Sequence, residues 1–217
     1  MIKKFENIDF DWTELKEISE FSNGNTTYAR VSLPADSSNA NWFSKKGYSF
    51  IDRTIEVKIP LKRAKIEFEK MVRMPIEISS DYLQEIEELA LNSFQSDSRF
   101  NVSFDESKSK IYSELISCWA NEVDTYFVCI YKNKLIGFLG IKEDDEGVPF
   151  IYFAATDEKY RLTGVALSLY SYVANYYKEK GASVIYGRIS SQNVAVMNIY
   201  AALGAQFYNP WDVFIKE

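Results

Sequence analysis

At 217 residues, with 47% hydrophobic and 16% aromatic content, the chain carries enough apolar material for one large domain or two small ones sharing a core. Its 31 acidic against 25 basic residues, a formal charge of -6, argue against a general nucleic-acid binder, and the local cluster Lys62-Arg63-Ala64-Lys65 reads as solvated surface. The sequence holds no histidine, which removes a Ser-His-Asp triad, a Cys-His pair and histidine-ligated zinc; any acid or base is then Tyr, Asp, Glu, Lys, Cys, water or the substrate itself.

Met1-Ile2-Lys3-Lys4-Phe5-Glu6 lacks the apolar core of a signal peptide. No apolar run reaches the roughly 18 residues of a membrane span. Cys118 falls in a helical pattern and Cys129 in a strand pattern, so no disulfide framework is expected. The expectation is a cytoplasmic protein with neither membrane nor nucleic acid among its partners.

In chain order, Tyr28-Ala29-Arg30-Val31-Ser32 reads as a strand, a helical stretch through Trp42 and Phe43 ends at Gly47, and Thr54 to Ile59 reads as a second strand. The same order recurs late: Tyr186-Gly187-Arg188-Ile189-Ser190, a helix through Tyr200 ending at Gly204, then Trp211 to Lys216. This is either a weak internal repeat or a coincidence of two ordinary strand-helix-strand units. The charged stretch Pro60-Leu61-Lys62-Arg63-Ala64-Lys65 reads as a linker, predicting a small N-terminal unit over 1–63 and a main domain over 64–217.

Past that linker, Asp81 with Gln84 resembles a capping box, and Ile86, Leu89, Ala90 and Phe94 predict an amphipathic helix over 82–95. Ile111, Leu115, Cys118 and Trp119 predict a second helix over 106–120. Two apolar runs, 126–131 and 135–141, flank the polar turn Lys132-Asn133-Lys134 as an antiparallel hairpin, and a third strand spans Phe150 to Ala155. A helix over 164–180 stopped by Gly181, a strand over Val184 to Ile189, a helix over 193–203 and a final strand complete a mixed α/β order, antiparallel early with a βαβ unit late.

The chemistry concentrates at the start of the first of those late helices. Tyr160-Arg161-Leu162-Thr163-Gly164-Val165-Ala166 leads from a strand into a helix, where unpaired N–H groups and the positive dipole end favour an anion. Gly164 and Ala166 are small enough to admit a diphosphate, and Arg161 adds charge; a tight turn or close helix-strand packing would explain the glycine equally well. Asn193 opens the last helix, with Tyr200 seven residues on, near the same face. Helix capping for Asn193 and a core position for Tyr200 are the plain alternatives.

The run Tyr160 to Ala166, followed at these spacings by Asn193, Tyr200 and Gly204, resembles the GNAT superfamily of acetyl-CoA-dependent N-acetyltransferases. The last position of the turn is Ala166 where the family also uses glycine, and Gly204-Ala205 stands where it often has Gly-Phe. The resemblance implies a GNAT fold, with a central mixed, mostly antiparallel sheet flanked by helices and the N-terminal unit as a truncated repeat. It implies that Arg161, Leu162, Thr163, Gly164, Val165 and Ala166 hold the pyrophosphate, with Asn193 also at the cofactor. Phe153, Ala154 and Ala155, on a strand splayed from its parallel neighbour, would offer backbone groups to the pantetheine arm and thioester. Tyr200 would protonate the leaving thiolate, a transfer between groups whose reference pKa values lie within about two units. No metal is implied, and a homodimer is compatible with it.

A looser resemblance is to the WecD-like branch, through Gly47 to Thr54 and through Ser98-Arg99-Phe100 with Tyr112 and Trp119. It implies a dTDP-linked 4-amino-4,6-dideoxyhexose as acceptor. A peptide N-terminus, a lysine or a small amine are alternative acceptors, and a non-catalytic acyl-CoA-binding regulator is a third reading. No general base stands out: Glu67, Asp81, Asp105 and the acidic turn at 143–146 all read as solvated surface.

Overall fold

A computed structural model describes residues 17–23, 26–35, 40–62, 76–78, 82–94, 113 and 116–216. Its strands are β1 (Glu17–Asn23), β2 (Thr26–Pro34), β3 (Ser49–Pro60), β4 (Ile76–Ile78), β5 (Thr125–Tyr131), β6 (Lys134–Glu143), β7 (Pro149–Thr156), β8 (Val184–Ser190) and β9 (Gln206–Lys216). The helices are α1 (Ala40–Lys45), α2 (Leu83–Phe94), α3 over 116–121, α4 (Val165–Glu179) and α5 (Val194–Ala202). Among the described residues one sheet holds every strand, in the order β1-β2-β9-β3-β8-β7-β6-β5-β4, and β7–β8 is its parallel pair. The predicted mixed, mostly antiparallel α/β sheet is the observed one.

Alternation along the strands sends one set of apolar residues to each face. Val57, Ile59, Phe127, Leu139, Ile141, Ile151, Ile185 and Ile189 face α4 and α5, where Val165, Leu169, Val173 and Tyr200 complete the larger core. On the opposite face Val128, Phe138 and Phe153 meet Ile86, Leu89 and Ala90 of α2 and Ile116 and Ala120 of α3. The i, i+3, i+4 stripe that predicts α2 is therefore its buried face. Asp81, Ile111 and Leu115 lie outside the described residues.

The two similar units interlock. β2 pairs with β9 and β8 pairs with β3, while β3 and β9 pair with each other, so each unit's last strand lies beside the other's first. Both helices end alike. Gly47 has φ 83 with Tyr48 N donating to Phe43 O, and Gly204 has φ 72 with Ala205 N donating to Tyr200 O, each at 3.0 Å. This left-handed stop lets the last carbonyls be satisfied while the chain turns back into the sheet. It requires glycine's tolerance of positive φ at both ends.

Candidate active site

β7 and β8 are in register at two rungs only, Phe150↔Tyr186 and Ile151↔Gly187. Beyond them β7 runs on beside β6 and β8 runs on beside β3, so the strands part into a fork. A bulge drives the parting. The β6 ladder passes from Ile141↔Ile151 to Gly140↔Phe153, leaving Tyr152 as the extra residue, which bends and twists its strand. Tyr152 is anchored there, its hydroxyl donating to Glu122 Oε2 at 2.7 Å beside Lys142 Nζ at 3.2 Å. Burial pushes the Glu122 carboxyl up, but the bonds from Tyr152 and Lys142 prevail and hold it below the usual range.

Phe153, Ala154 and Ala155 lie on the diverging arm, paired to β6 on one side and bordering the fork on the other. The Phe153 ring is buried against Phe94 and Phe138, with centroids at 5.5 and 5.2 Å, so its backbone is what it offers the fork.

The turn from Arg161 to Ala166 follows a short 3-10 turn, Glu158–Tyr160, that Asp157 caps through Lys159 N. Lys134 Nζ binds Asp157 at 2.7 Å and is the main reason its carboxyl stands below the ordinary range, with burial opposing and the Lys159 amide assisting. Thr163 Oγ1 donates back to Tyr160 O at 2.6 Å, tightening the loop. Leu162 (φ 68) and Gly164 (φ 88) are left-handed, and Gly164 is the N-cap of α4 without a side chain to cap it. The first helical bond runs from Ser168 N to Gly164 O. The preceding N–H groups of the first turn consequently lack intrahelical acceptors. A Cβ built on Gly164 meets nothing within 4 Å, so the space beside this residue at the helix start is open. Arg161, Leu162 and Thr163 are exposed around it, Gly164 and Ala166 are half-buried, and Val165 is buried as the helix's first core anchor.

Asn193 caps α5, its side chain accepting from Val196 N at 3.2 Å. Tyr200, on the same helix, is 1% exposed. Its hydroxyl reaches the crotch of the fork: a Cβ on Gly187 would stand 3.0 Å from it, with Ile151 Cβ and O each at 3.6 Å. Its ring is edge-on to Tyr170 of α4, with centroids 5.3 Å apart. Burial first, then Tyr170, pushes the Tyr200 phenol well above its ordinary value. The phenol in the dry crotch is a weaker acid than free tyrosine, and its match to the thiol survives because desolvation raises a thiol formed there as well.

Across the sheet from Tyr200, residues of β3, β6, β7, β8 and β9 line a cavity of about 360 Å³. Glu56, Glu143, Asp144 and Lys142 line it with the rings of Phe150, Tyr186 and Tyr208, and the Arg188 guanidinium lies 3.7 Å from Glu56. Glu56 is held by Trp211 Nε1 at 2.9 Å and Asn209 Nδ2 at 3.0 Å, Glu143 by the Tyr177 hydroxyl at 2.7 Å, and Asp144 by Val148 N at 2.8 Å. Gly187 also lines this cavity, so a residue without a side chain is what stands between it and the Tyr200 hydroxyl. Sequence reasoning left Gly187, Tyr170 and Glu56 without a role. A glycine inside a strand is a signal of close approach, and Gly187 could have been found by it. Of the acidic positions read as surface, Glu143 and Asp144 line the cavity, and Glu67, Asp81 and Asp105 lie outside the described residues.

The sequence profile of the acetyltransferase (GNAT) family matches residues 83–205, more than half of the chain, and the chain belongs to that family. GNAT acetyltransferases take their acetyl group from acetyl-CoA and pass it to an acceptor. Solved structures share the fold. A functionally unknown conserved protein from Staphylococcus epidermidis aligns with a TM-score of 0.63 at 13% identity, over 87% of this chain and 72% of its own. A GNAT-family protein from Novosphingobium aromaticivorans gives 0.59 at 13% identity, over 88% and 74%. A GCN5-related N-acetyltransferase from Sphaerobacter thermophilus gives 0.59 at 16%, over 87% of this chain and 59% of its own. Among proteins of curated function none matches the sequence. The WecD-like branch is supported by no comparison.

Proposed function

We propose that this chain is an acetyl-CoA-dependent N-acetyltransferase in which a neutral amine attacks the thioester directly in a ternary complex. The observation that carries the reading is the Tyr200 hydroxyl at the crotch of the β7–β8 fork, facing the last paired rung. In this reading the Arg161–Ala166 turn holds the pyrophosphate on open N–H groups. The backbone of Phe153, Ala154 and Ala155 receives the pantetheine arm and steadies the carbonyl oxygen as it gains charge. Asn193 fixes α5 and with it Tyr200, which gives its proton to the departing sulfur.

The acceptor has two readings. The sequence resemblance favours a nucleotide-linked 4-amino-4,6-dideoxyhexose. The cavity favours a small amine without phosphate, because its three carboxylates outnumber Lys142 and the Arg188 guanidinium that lies 3.7 Å from Glu56, a balance that attracts an ammonium and repels a diphosphate. Rings in the lining suit stacking on a sugar or another flat face in either case. The geometry supports the small amine best. A thiol-release assay with acetyl-CoA separates the readings, using glucosamine, polyamines and a lysine peptide against dTDP- and UDP-linked amino sugars. Turnover of unphosphorylated amines supports the cavity reading, preference for sugar nucleotides reverses it, and acetyl-CoA binding with no turnover of any amine points to a regulator.

A further inference from the structure

Consecutive residues of a strand point to opposite faces of the sheet. Tyr152 and Phe153 break that rule: both pack on the face that α2 and α3 cover, while Ile151 before them and Ala154 after them lie on the α4 face. This is the side-chain consequence of the bulge between the Ile141↔Ile151 and Gly140↔Phe153 rungs. Trp119 of α3 meets both rings, each with centroids at 6.2 Å. Glu122 follows Trp119 about one turn further on, and its Oε2 accepts from the Tyr152 hydroxyl at 2.7 Å. Lys142 of β6 donates to that same oxygen at 3.2 Å and stands over the Tyr152 ring, 5.1 Å from its centroid.

The chain leaving α3 is fastened to β6 at the same place. Asp124 N donates to Ile141 O at 2.9 Å, and Asp124 Oδ2 accepts from Glu143 N at 2.7 Å. Val123 lies directly against Gly140, the residue opposite Phe153: a Cβ there would stand 2.8 Å from Val123 Cγ2. Glu122, Val123 and Asp124 thus grip the bulge on β7 and the strand opposite it. The bulge turns β7 away from β8, and so sets where the backbone of Phe153, Ala154 and Ala155 stands along the fork. A misplacement of about 1 Å at a reacting centre costs about 10²-fold in rate, so whatever fixes the bulge matters to the chemistry. We propose that Trp119 to Asp124 forms a strap across the sheet, in which Glu122, acting through Tyr152, is a positioning residue for the β7 backbone that meets the acetyl thioester.

The inference rests on the reading that the fork receives acetyl-CoA, and one set of spectra separates the two. Backbone amide shifts of the folded protein are recorded with CoA and with acetyl-CoA, which differ only in the acetyl group, so no acceptor is needed. In wild type, Gly164 to Ala166 are expected to shift with both ligands, and Phe153 to Ala155 to shift further with acetyl-CoA. Tyr152→Phe keeps the ring against Trp119 and removes the bond; Glu122→Ala removes its acceptor. In both, the Gly164 to Ala166 shifts are expected to remain and the acetyl-dependent shifts of Phe153 to Ala155 to be lost. Glu122→Gln keeps an acceptor for the phenol and is expected to restore the wild-type pattern. Retention of the acetyl-dependent shifts in a folded Tyr152→Phe or Glu122→Ala, or their loss in Glu122→Gln as well, overturns the proposal while leaving the cofactor site in place. Absence of the Gly164 to Ala166 shifts in wild type refutes the cofactor site itself, and absence of acetyl-dependent shifts at Phe153 to Ala155 in wild type removes the fork reading and the strap with it. If one variant fails to fold, its spectrum shows it and the other decides.

Discussion

Gly187→Ala probes the fork with a single carbon. The new Cβ would stand 3.0 Å from the Tyr200 hydroxyl, whereas its contacts to Ile151, at 3.6 Å, are ordinary. Ordinary contact begins at 3.4 Å, so the hydroxyl must retreat by roughly 0.4 Å. If about 1 Å of misplacement costs about 10²-fold, a 0.4 Å retreat costs roughly sixfold in kcat. Packing strain of about 1 to 3 kcal/mol should accompany it. The assay is thiol release at saturating acetyl-CoA, with calorimetry to show that cofactor affinity is unchanged. The hydroxyl is the atom being pushed, so the alanine should add little to Tyr200→Phe. A folded Gly187→Ala with wild-type kcat, or one equally slowed in the Tyr200→Phe background, would refute the reasoning.

Tyr200→Phe should lower kcat by about 10²-fold or more and leave acetyl-CoA affinity intact, as kinetics and calorimetry would show. Gly164→Val places a β-branched residue at φ 88; it should destabilise the helix start by about 1 to 2 kcal/mol and weaken acetyl-CoA binding about tenfold or more, read by melting and titration. Asn193→Ala removes the cap of α5 and should cost about 0.5 to 2 kcal/mol in chemical denaturation. The Asp157 carboxyl is held low by Lys134, so the stability it contributes is present above the ordinary carboxylate range and is lost as pH falls through its folded value. The difference in melting temperature between wild type and Lys134→Met should shrink on acidification, and a gap that widens toward acid would contradict that sign.

Much of the fold was legible where local rules and tertiary packing agree. The α2 stripe, the β5–β6 hairpin and the glycine-stopped helices are of this kind. Lys132 and Asn133, at φ 50 and 58, form the tight polar turn between the hairpin strands, where both central residues are left-handed. β1 was missed although Asn23-Gly24 is a hairpin signal, and β4, with three residues, is too short to show a period. β9 starts at Gln206, five residues before the expected Trp211, because Pro210 reads as a strand breaker. The ladder accommodates it at an irregularity between Ile55 and Glu56, beside Asn209 at φ 41.

The site was partly legible for the same reason. The Arg161–Ala166 turn is a local object, and its left-handed Gly164 and open first turn follow from sequence and helix geometry. The cavity is assembled from β3, β6, β7, β8 and β9, and Glu56 reaches it only through the interlocking of the two units. No spacing along the chain encodes that juxtaposition. The acidity of Tyr200 likewise depends on burial against Tyr170, thirty residues away.

The central claim, that the turn before α4 and the fork beside it form an acetyl-CoA site, is tested most directly by titrating acetyl-CoA into the folded protein by calorimetry. The account predicts saturable one-site binding with a Kd on the order of micromolar, weakened about tenfold or more by Arg161→Ala and by Gly164→Val. Absence of binding at about millimolar acetyl-CoA, or affinity indifferent to both substitutions, would contradict it.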